Sequence, residues 1–260
     1  MKFFTERIYS LRFLLILCLV LSKMLTPMKK KLVILSGAGM SAESGFSTFR
    51  DQGGLWETHP VEEVATPEGW ERNPDLVTTF YNSLRKGLVE AVPNQGHYDV
   101  ARLETDYDVT VITQNVDNLH ERAGSSRVIH LHGELMKVCS SRQPDNPRYI
   151  RTLADNEWEV PIGTRCEDGS LLRPWIVWFG EAVPNLDAAA REVEQADIFV
   201  IIGSSLAVYP AAGLIHYAPA EARLFLIDPN EVNVPTHRPV EVITLPASKG
   251  VAELARRLQA

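Results

Sequence analysis

Short, continuous apolar runs recur along the chain at residues 32–35, 109–112, 128–131, 198–202 and 224–227. Runs of this length without strict alternation suit strands buried on both faces, as in a parallel sheet. Segments of helical character separate several of them. Residues 187–195 and 210–217 read as helices, and Ser248 reads as the N-cap of a final helix carrying Val251, Leu254 and Leu258 on one stripe. Strands alternating with helices predict an α/β fold with a Rossmann-like doubly wound parallel sheet.

Two regions break that rhythm. Residues 57–90 read as helical: Thr66-Pro67 opens a short helix and Pro74 a longer one, whose Leu76, Phe80, Leu84 and Leu88 fall at four-residue intervals. Residues 137–175 are polar, hold Pro144, Pro147, Pro161 and Pro174, and lack a strong period. Both are expected to be insertions that build a small second lobe.

Length and charge narrow the class. A chain of 260 residues buries a substantial core. Its net charge of −7 argues against a nucleic-acid partner, which needs a basic footprint. Cys18, Cys139 and Cys166 are too few for a disulfide framework and fit a reducing, cytoplasmic setting. Near the start, residues 13–21 are apolar and follow Lys2, Arg7 and Arg12, as in a signal peptide. That run is shorter than the roughly 20 residues a spanning helix needs, and no small-residue cleavage site follows. Residues 1–27 are therefore expected to be an extension outside the fold, with a membrane anchor as the alternative, and residues 28–260 to be one domain. A monomer is expected, with no membrane association of the mature fold.

Several motifs carry chemistry. Gly37-x-Gly39-x-x-Ala42-x-x-Gly45 follows the first strand, where glycines let backbone approach a pyrophosphate and a helix N-terminus supplies N–H donors. The competing reading is a tight turn with no ligand. A dehydrogenase would next place an acidic ribose-binding residue at the end of its second strand; here Phe49-Arg50-Asp51 and a glycine-bearing loop follow instead. The amides and carboxylate of Gln114, Asn115 and Asp117 end a second strand, at the edge where open α/β sheets bind ligands. His130 and His132 lie two apart; His132 is favoured as a general base because Gly133 marks the exit toward that edge. Val177, Trp178, Phe179 and Gly180 could expose an edge for an added peptide strand. Gly203, Ser204 and Ser205, and Asp228, close two further strands where phosphate or ribose could sit.

Taken together, these residues resemble the sirtuins, NAD-dependent protein-lysine deacylases. The likeness runs from about residue 31 to the last helix and rests on residues 37–45 with Thr48-Phe49-Arg50, residues 113–120, His132-Gly133, residues 177–181 and residues 203–205. It implies NAD as co-substrate and acyl-lysine proteins as partners. The acyl oxygen attacks the ribose carbon as nicotinamide leaves, giving an alkylimidate. His132 then serves as general base on a ribose hydroxyl, and water completes release of lysine and O-acyl-ADP-ribose. It further implies nucleotide contacts from Gly37, Ala38, Gly39, Met40, Ser41, Glu43, Phe49, Arg50, Gln114, Asn115, Val116, Asp117, Gly203, Ser204, Ser205, Asp228 and Ala247. Substrate contacts would come from Ala65, Tyr81, Arg85, Val177, Phe179 and Gly180.

This chain departs from the family's pattern in places. Four cysteines usually hold a structural zinc in the small lobe. Residues 137–175 keep only Cys139 and Cys166, so a degenerate zinc-ribbon-like segment without metal is expected, with Trp158 and Ile162 as candidates to stabilise it. Ala65 matches the bacterial desuccinylase and demalonylase branch. That branch places an arginine three positions after its tyrosine, where this chain has Leu84, with Arg85 one position further. Succinyl specificity through Arg85 and plain deacetylation are both open. Leu226 stands where the family often has asparagine, and Ser47 where it commonly has proline. Protein mono-ADP-ribosylation and a catalytically weak NAD-sensing module are the alternatives; a dehydrogenase is the weakest.

Overall fold

The computed structural model describes residues 28–45 and 60–259. The chain divides into Met1–Lys30 and Lys31–Ala260, and every element below lies in the second unit. Its strands are β1 (Lys31–Ser36), β2 (Asp108–Thr113), β3 (Val128–His130), β4 (Gly133–Ser140), β5 (Arg151–Thr152), β6 (Leu172–Ile176), β7 (Ile198–Ile202), β8 (Arg223–Ile227) and β9 (Glu241–Ile243). Its α-helices are α1 (Val61–Val64), α2 (Pro67–Arg72), α3 (Pro74–Glu90), α4 (Gln95–Leu103), α5 (Leu119–Arg122), α6 (Leu186–Val193) and α7 (Ala247–Gln259).

The main sheet is parallel, in the order β3-β2-β1-β7-β8-β9. Its apolar runs serve two cores. Leu32 and Ile34 pack with Val111, Val200, Phe225, Val100 and Leu254 on one face, while Val33 and Leu35 pack with Phe199, Ile201, Val193 and Leu214 on the other. Alternate side chains of a strand point to opposite faces, so a continuous apolar run is what two covered faces require. The sheet is wound to both sides of β1 and β7, which places the topological switch point between them. Ser36 pairs with both Thr113 and Ile202, and Ile202 with Ile227, so these strands end level at one edge. β9 escaped sequence reading because it is a short edge strand with Val242 half exposed.

Two helix expectations change. Ser248 lies inside α7 rather than capping it, and its N–H and hydroxyl both donate to Glu43, at 2.9 and 2.7 Å. Residues 211–217 wind as a 3-10 helix. Among the described residues no helix is long and apolar enough to cross a membrane.

Helices α1–α3 share a core with the second, antiparallel sheet, ordered β5-β4-β6. Thr66 caps α2 by accepting from Gly69 N–H at 3.0 Å, and Asn73 caps α3 through Leu76 N–H at 3.0 Å, each with proline opening the helix. Phe80, Leu84 and Leu88 are buried along α3, facing Leu135, Val138, Leu153 and Val160. Ile162 is 56% exposed and cannot anchor this lobe as expected, and Trp158 is only half-buried, beneath Lys86. Leu153 and Val160 do that work because the chain crosses α3 there: Asn82 bonds both the N–H and the carbonyl of Val160.

Candidate active site

Loops leaving the level strand ends converge at the switch point. Over its described residues the first begins with 3-10 turns rather than a regular α-helix. It forms two single 3-10 turns, Ala38–Met40 and Ala42–Ser44, closed by Gly45 in the left-handed region. The N–H groups of Gly37, Gly39, Met40 and Ser41 are engaged on Ile202, Gly203, Gly37 and Ala38 carbonyls. The glycines answer first to packing against the neighbouring loop. A Cβ on Gly39 would lie 2.7 Å from Gly203 Cα, and one on Gly37 2.6 Å from Gly203 oxygen. Met40 is fully buried in the sheet core, so it can offer a ligand only backbone.

The second loop is cross-linked to the first. Asn115 Nδ2 donates to Gly37 oxygen at 3.0 Å and to Ser41 Oγ at 3.1 Å. Ser41 Oγ donates to Asp117 Oδ2 at 2.8 Å, and Leu119 N–H reaches Asp117 Oδ1 at 3.0 Å. Burial raises the Asp117 pKa, against those two bonds and the charge of His130. Gln114 Nε2 donates to Ser204 Oγ at 2.8 Å, joining the second loop to the one after β7. Val116 is buried, and its carbonyl accepts from Leu135 N–H at 2.8 Å. Ser205 is exposed beside buried Ser204. Asp228 is buried and turns the chain by accepting from Asn230 N–H at 2.9 Å. Ala38 is half-buried at the loop's start. Glu43 accepts from Ser248 where the first loop touches α7, and the neighbouring Ala247 has its backbone against Gly96. Phe49 and Arg50, with Ser47 and Thr48, lie outside the described residues.

His132 stands just past β3, and its Nε2 is buried with no hydrogen-bond partner among the described residues. Burial lowers its pKa, opposed by a hydrogen bond at Leu131, which leaves a neutral base at neutral pH. Gly133 has a φ of 81°, and a Cβ there would run into the Trp175 carbonyl. The glycine therefore lets β4 start against β6 immediately after the histidine.

The residues expected to meet a substrate lie in the second lobe. Phe179 N–H donates to Ala65 oxygen and Val177 N–H to His132 oxygen, each at 3.0 Å. Phe179 is 44% exposed while Trp178 is buried, and Gly180 turns the chain with a φ of 93°. Tyr81 is buried, and its hydroxyl accepts from Trp178 Nε1 at 3.0 Å; burial raises its pKa.

Arg85 is held inside the second lobe by the protein's own groups. Its side chain is 1% exposed, with Nε on Leu135 oxygen and Nη1 on Asn82 Oδ1, both at 2.8 Å. Burial lowers its pKa to about 10. Leu84 is in the core, as its place in the apolar stripe implies.

Among the described residues no group of three or more His, Cys, Asp and Glu side chains is placed to hold a metal. Cys139 and Cys166 are free thiols, and burial pushes Cys139 up to about 12. The end of β4 is instead tied by polar bonds. Ser140 Oγ donates to Asp168 Oδ2 at 2.6 Å and accepts from the N–H groups of Arg142 and Gln143; Ser170 Oγ meets the same Asp168 at 2.7 Å.

Sequence reading missed several supporting residues. Arg173 is buried over the Trp178 ring, 3.5 Å from its centroid, and grips Glu181 with both terminal nitrogens, at 2.7 and 3.0 Å. His120 Nε2 lies 3.0 Å from Ser36 Oγ, and its ring packs edge-on against His97. Asn94 Nδ2 holds Met40 oxygen and Ser44 Oγ. Ser36, a buried polar residue at the end of an apolar run, was the signal the sequence held for one of these contacts.

Residues 37–210 match the Sir2 family. An NAD-dependent protein deacylase of Bacteroides thetaiotaomicron is 62% identical over 88% of this chain and 98% of its own length. One from Helicobacter pylori is 50% identical over 88% of this chain and 97% of its own. The crystal structure of a Sir2 homolog–NAD complex superposes with a TM-score of 0.78 at 38% identity, covering 89% of this chain and 90% of that one.

Proposed function

The chain belongs to the Sir2 family and is an NAD-dependent protein deacylase, and we propose that it removes small neutral acyl groups from protein lysines with His132 as general base. The observation that carries this reading is the buried, unpartnered Nε2 of His132, neutral at working pH, beside the switch-point loops. NAD supplies a ribose whose bond to nicotinamide breaks as the acyl oxygen takes its place.

The described residues fit that nucleotide. Backbone of residues 37–41, tied to Gly203, would face the phosphates. Asn115 and Asp117, fixed through Ser41, would hold the nicotinamide amide; an unpartnered buried Asn118 Oδ1 lies in the same loop. Ser204, Ser205 and Asp228 would face the ribose of the adenosine end. His132 Nε2 accepts the proton of a ribose hydroxyl, which then attacks the acyl carbon. The low pKa keeps it free to do so without first losing a proton.

Acyl preference follows from the second lobe. The two arginines whose charges act on Tyr81, Arg85 and Arg173, have donors on Leu135, Asn82, Ile176 and Glu181. An acyl chain passing Ala65 toward Tyr81 would meet the phenol, with both arginines already bonded to the protein's own groups. A negatively charged acyl end would have to compete with those groups for a counter-charge. The substrate's backbone would lie along residues 177–180 and pair through their carbonyls, because the N–H groups of Val177, Trp178 and Phe179 are engaged. Free thiols at Cys139 and Cys166 suit reaction in the cytoplasm.

The test incubates residues 28–260 with NAD and matched acetyl-, butyryl- and succinyl-lysine peptides. Nicotinamide and free lysine are followed by mass spectrometry. Equal amounts of both products, preference for the neutral peptides and loss in His132→Ala are expected. Turnover that survives His132→Ala would reject the assigned base, and preferred cleavage of succinyl-lysine would reject the neutral pocket.

A further inference from the structure

His130, the last residue of β3, is 6% exposed and makes two side-chain bonds. Its Nε2 lies 2.7 Å from Glu121 Oε1, and its Nδ1 lies 3.2 Å from the Asn115 carbonyl oxygen. Both partners only accept hydrogen bonds. A neutral imidazole has one N–H, so satisfying both requires the doubly protonated ring. Asn185 Nδ2 donates to the His130 carbonyl at 2.9 Å and fixes the backbone that carries the ring. Asn115 has its N–H on Thr113 Oγ1 and its amide on Gly37 and Ser41, so His130 fixes the remaining orientation of that peptide.

We propose that His130 is a positioning residue: as an imidazolium held between Glu121 and the Asn115 carbonyl, it sets the 115–117 turn for the nicotinamide end of NAD. This rests on the reading that the turn receives nicotinamide. It gives adjacent histidines opposite duties, His130 a fixed cation and His132 a neutral base.

The surrounding charges agree. Burial alone would lower the pKa of His130, but the bond and charge of Glu121, the charge of Glu134 and the Asn115 carbonyl together hold it above the ordinary value. Asp117 faces it from the loop, and His120 from α5. Lys137 pairs with Glu134 at 2.6 Å and acts on Glu121. Glu121 is 40% exposed, so water partly screens the pair. Among the described residues His132 has no carboxylate partner, and burial carries it the other way. As pH rises through the raised pKa of His130, one ring proton leaves. The Asn115 carbonyl or the Glu121 carboxylate then loses its donor, and the turn loosens.

The experiment compares the full chain with His130→Gln and Glu121→Gln. It reads NAD affinity by titration calorimetry from neutral to alkaline pH, nicotinamide inhibition, kcat and KM for NAD, and thermal midpoint. For His130→Gln, weaker NAD affinity and weaker nicotinamide inhibition are expected, each by about tenfold, with kcat at saturating NAD far less affected. The alkaline decline in affinity should vanish in His130→Gln and move to lower pH in Glu121→Gln. Unchanged affinities with a lowered thermal midpoint would overturn the proposal, as would an alkaline decline kept in place in either variant. Should His130→Gln fail to fold, the position of that decline in Glu121→Gln decides alone. NAD binding without turnover by the unaltered chain would count against the deacylase reading instead, while calorimetry still reports on His130.

Discussion

Trp178 donates its indole N–H to the Tyr81 hydroxyl at 3.0 Å, a bond that joins the segment after β6 to α3. Trp178 is itself pinned from below by Arg173, whose guanidinium lies 3.5 Å from the ring centroid and holds Glu181. Arg85 and Arg173, the two arginines whose charges act on Tyr81, are thus both engaged by the protein itself.

Arg85→Ala should lower stability by about 3 kcal/mol, since it removes charged hydrogen bonds to Leu135 oxygen and Asn82 from a buried site. The ratio of succinyl- to acetyl-lysine turnover should stay the same. Chemical denaturation and paired kinetics check the two halves, and a fall in that ratio would return Arg85 to the pocket.

The His132 pKa lies below its ordinary value of 6.5, so the basic form persists to lower pH than a surface histidine would allow. The acid limb of kcat/KM plotted against pH should lie below that value. His132→Ala should reduce turnover roughly a hundredfold or more. An acid limb above the ordinary value would contradict the burial argument.

Ser140 is fully buried and bonds Asp168 at 2.6 Å at the end of β4. Ser140→Ala should cost about 1–3 kcal/mol, through loss of those bonds and two orphaned N–H groups, while a chelator should leave the thermal midpoint unaltered. The Ser140 and Ser170 bonds lower the Asp168 pKa from 3.8 to about 2. This stabilisation is present above the ordinary value and lost as pH falls toward about 2. Melting curves over that acid range should be flatter in Asp168→Asn.

Gly203 has a φ of 59°, and a Cβ there would lie 2.6 Å from Gly39 Cα. Gly203→Ala should cost more than the about 1–2 kcal/mol of left-handed backbone and should weaken NAD binding. Gly45→Ala is the control: its φ is 78°, but no described residue lies within 4 Å of a Cβ, so the backbone cost is the one expected. Equal losses in the two variants would show that the loop-to-loop packing is unimportant.

The strands of the main sheet other than β9 were legible because burial on both faces leaves a contiguous apolar signature, as in residues 198–202. The caps at Thr66 and Asn73 were equally local, each set beside a proline. The second sheet was not, because β4 and β6 carry Lys137, Ser140 and Arg173, polar residues whose partners are remote in sequence. Ile162 and Trp158 looked like anchors by type alone, yet the chain's path over α3 gave that place to Leu153 and Val160.

By itself, the sequence determined the fold class, the motif loops and the family, since each depends on short-range pattern: apolar runs, glycines in turns, and polar clusters at strand ends. Only the tertiary structure decided what the charged and titratable groups do. His130 and His132 are near neighbours in the chain, but among the described residues one meets Glu121 and the other meets no carboxylate. Arg85 could have faced a substrate or the lobe's interior until the path of β4 brought Leu135 oxygen to it. The charge and availability of such groups depend on burial and on partners distant in sequence, and those exist only once the chain has folded.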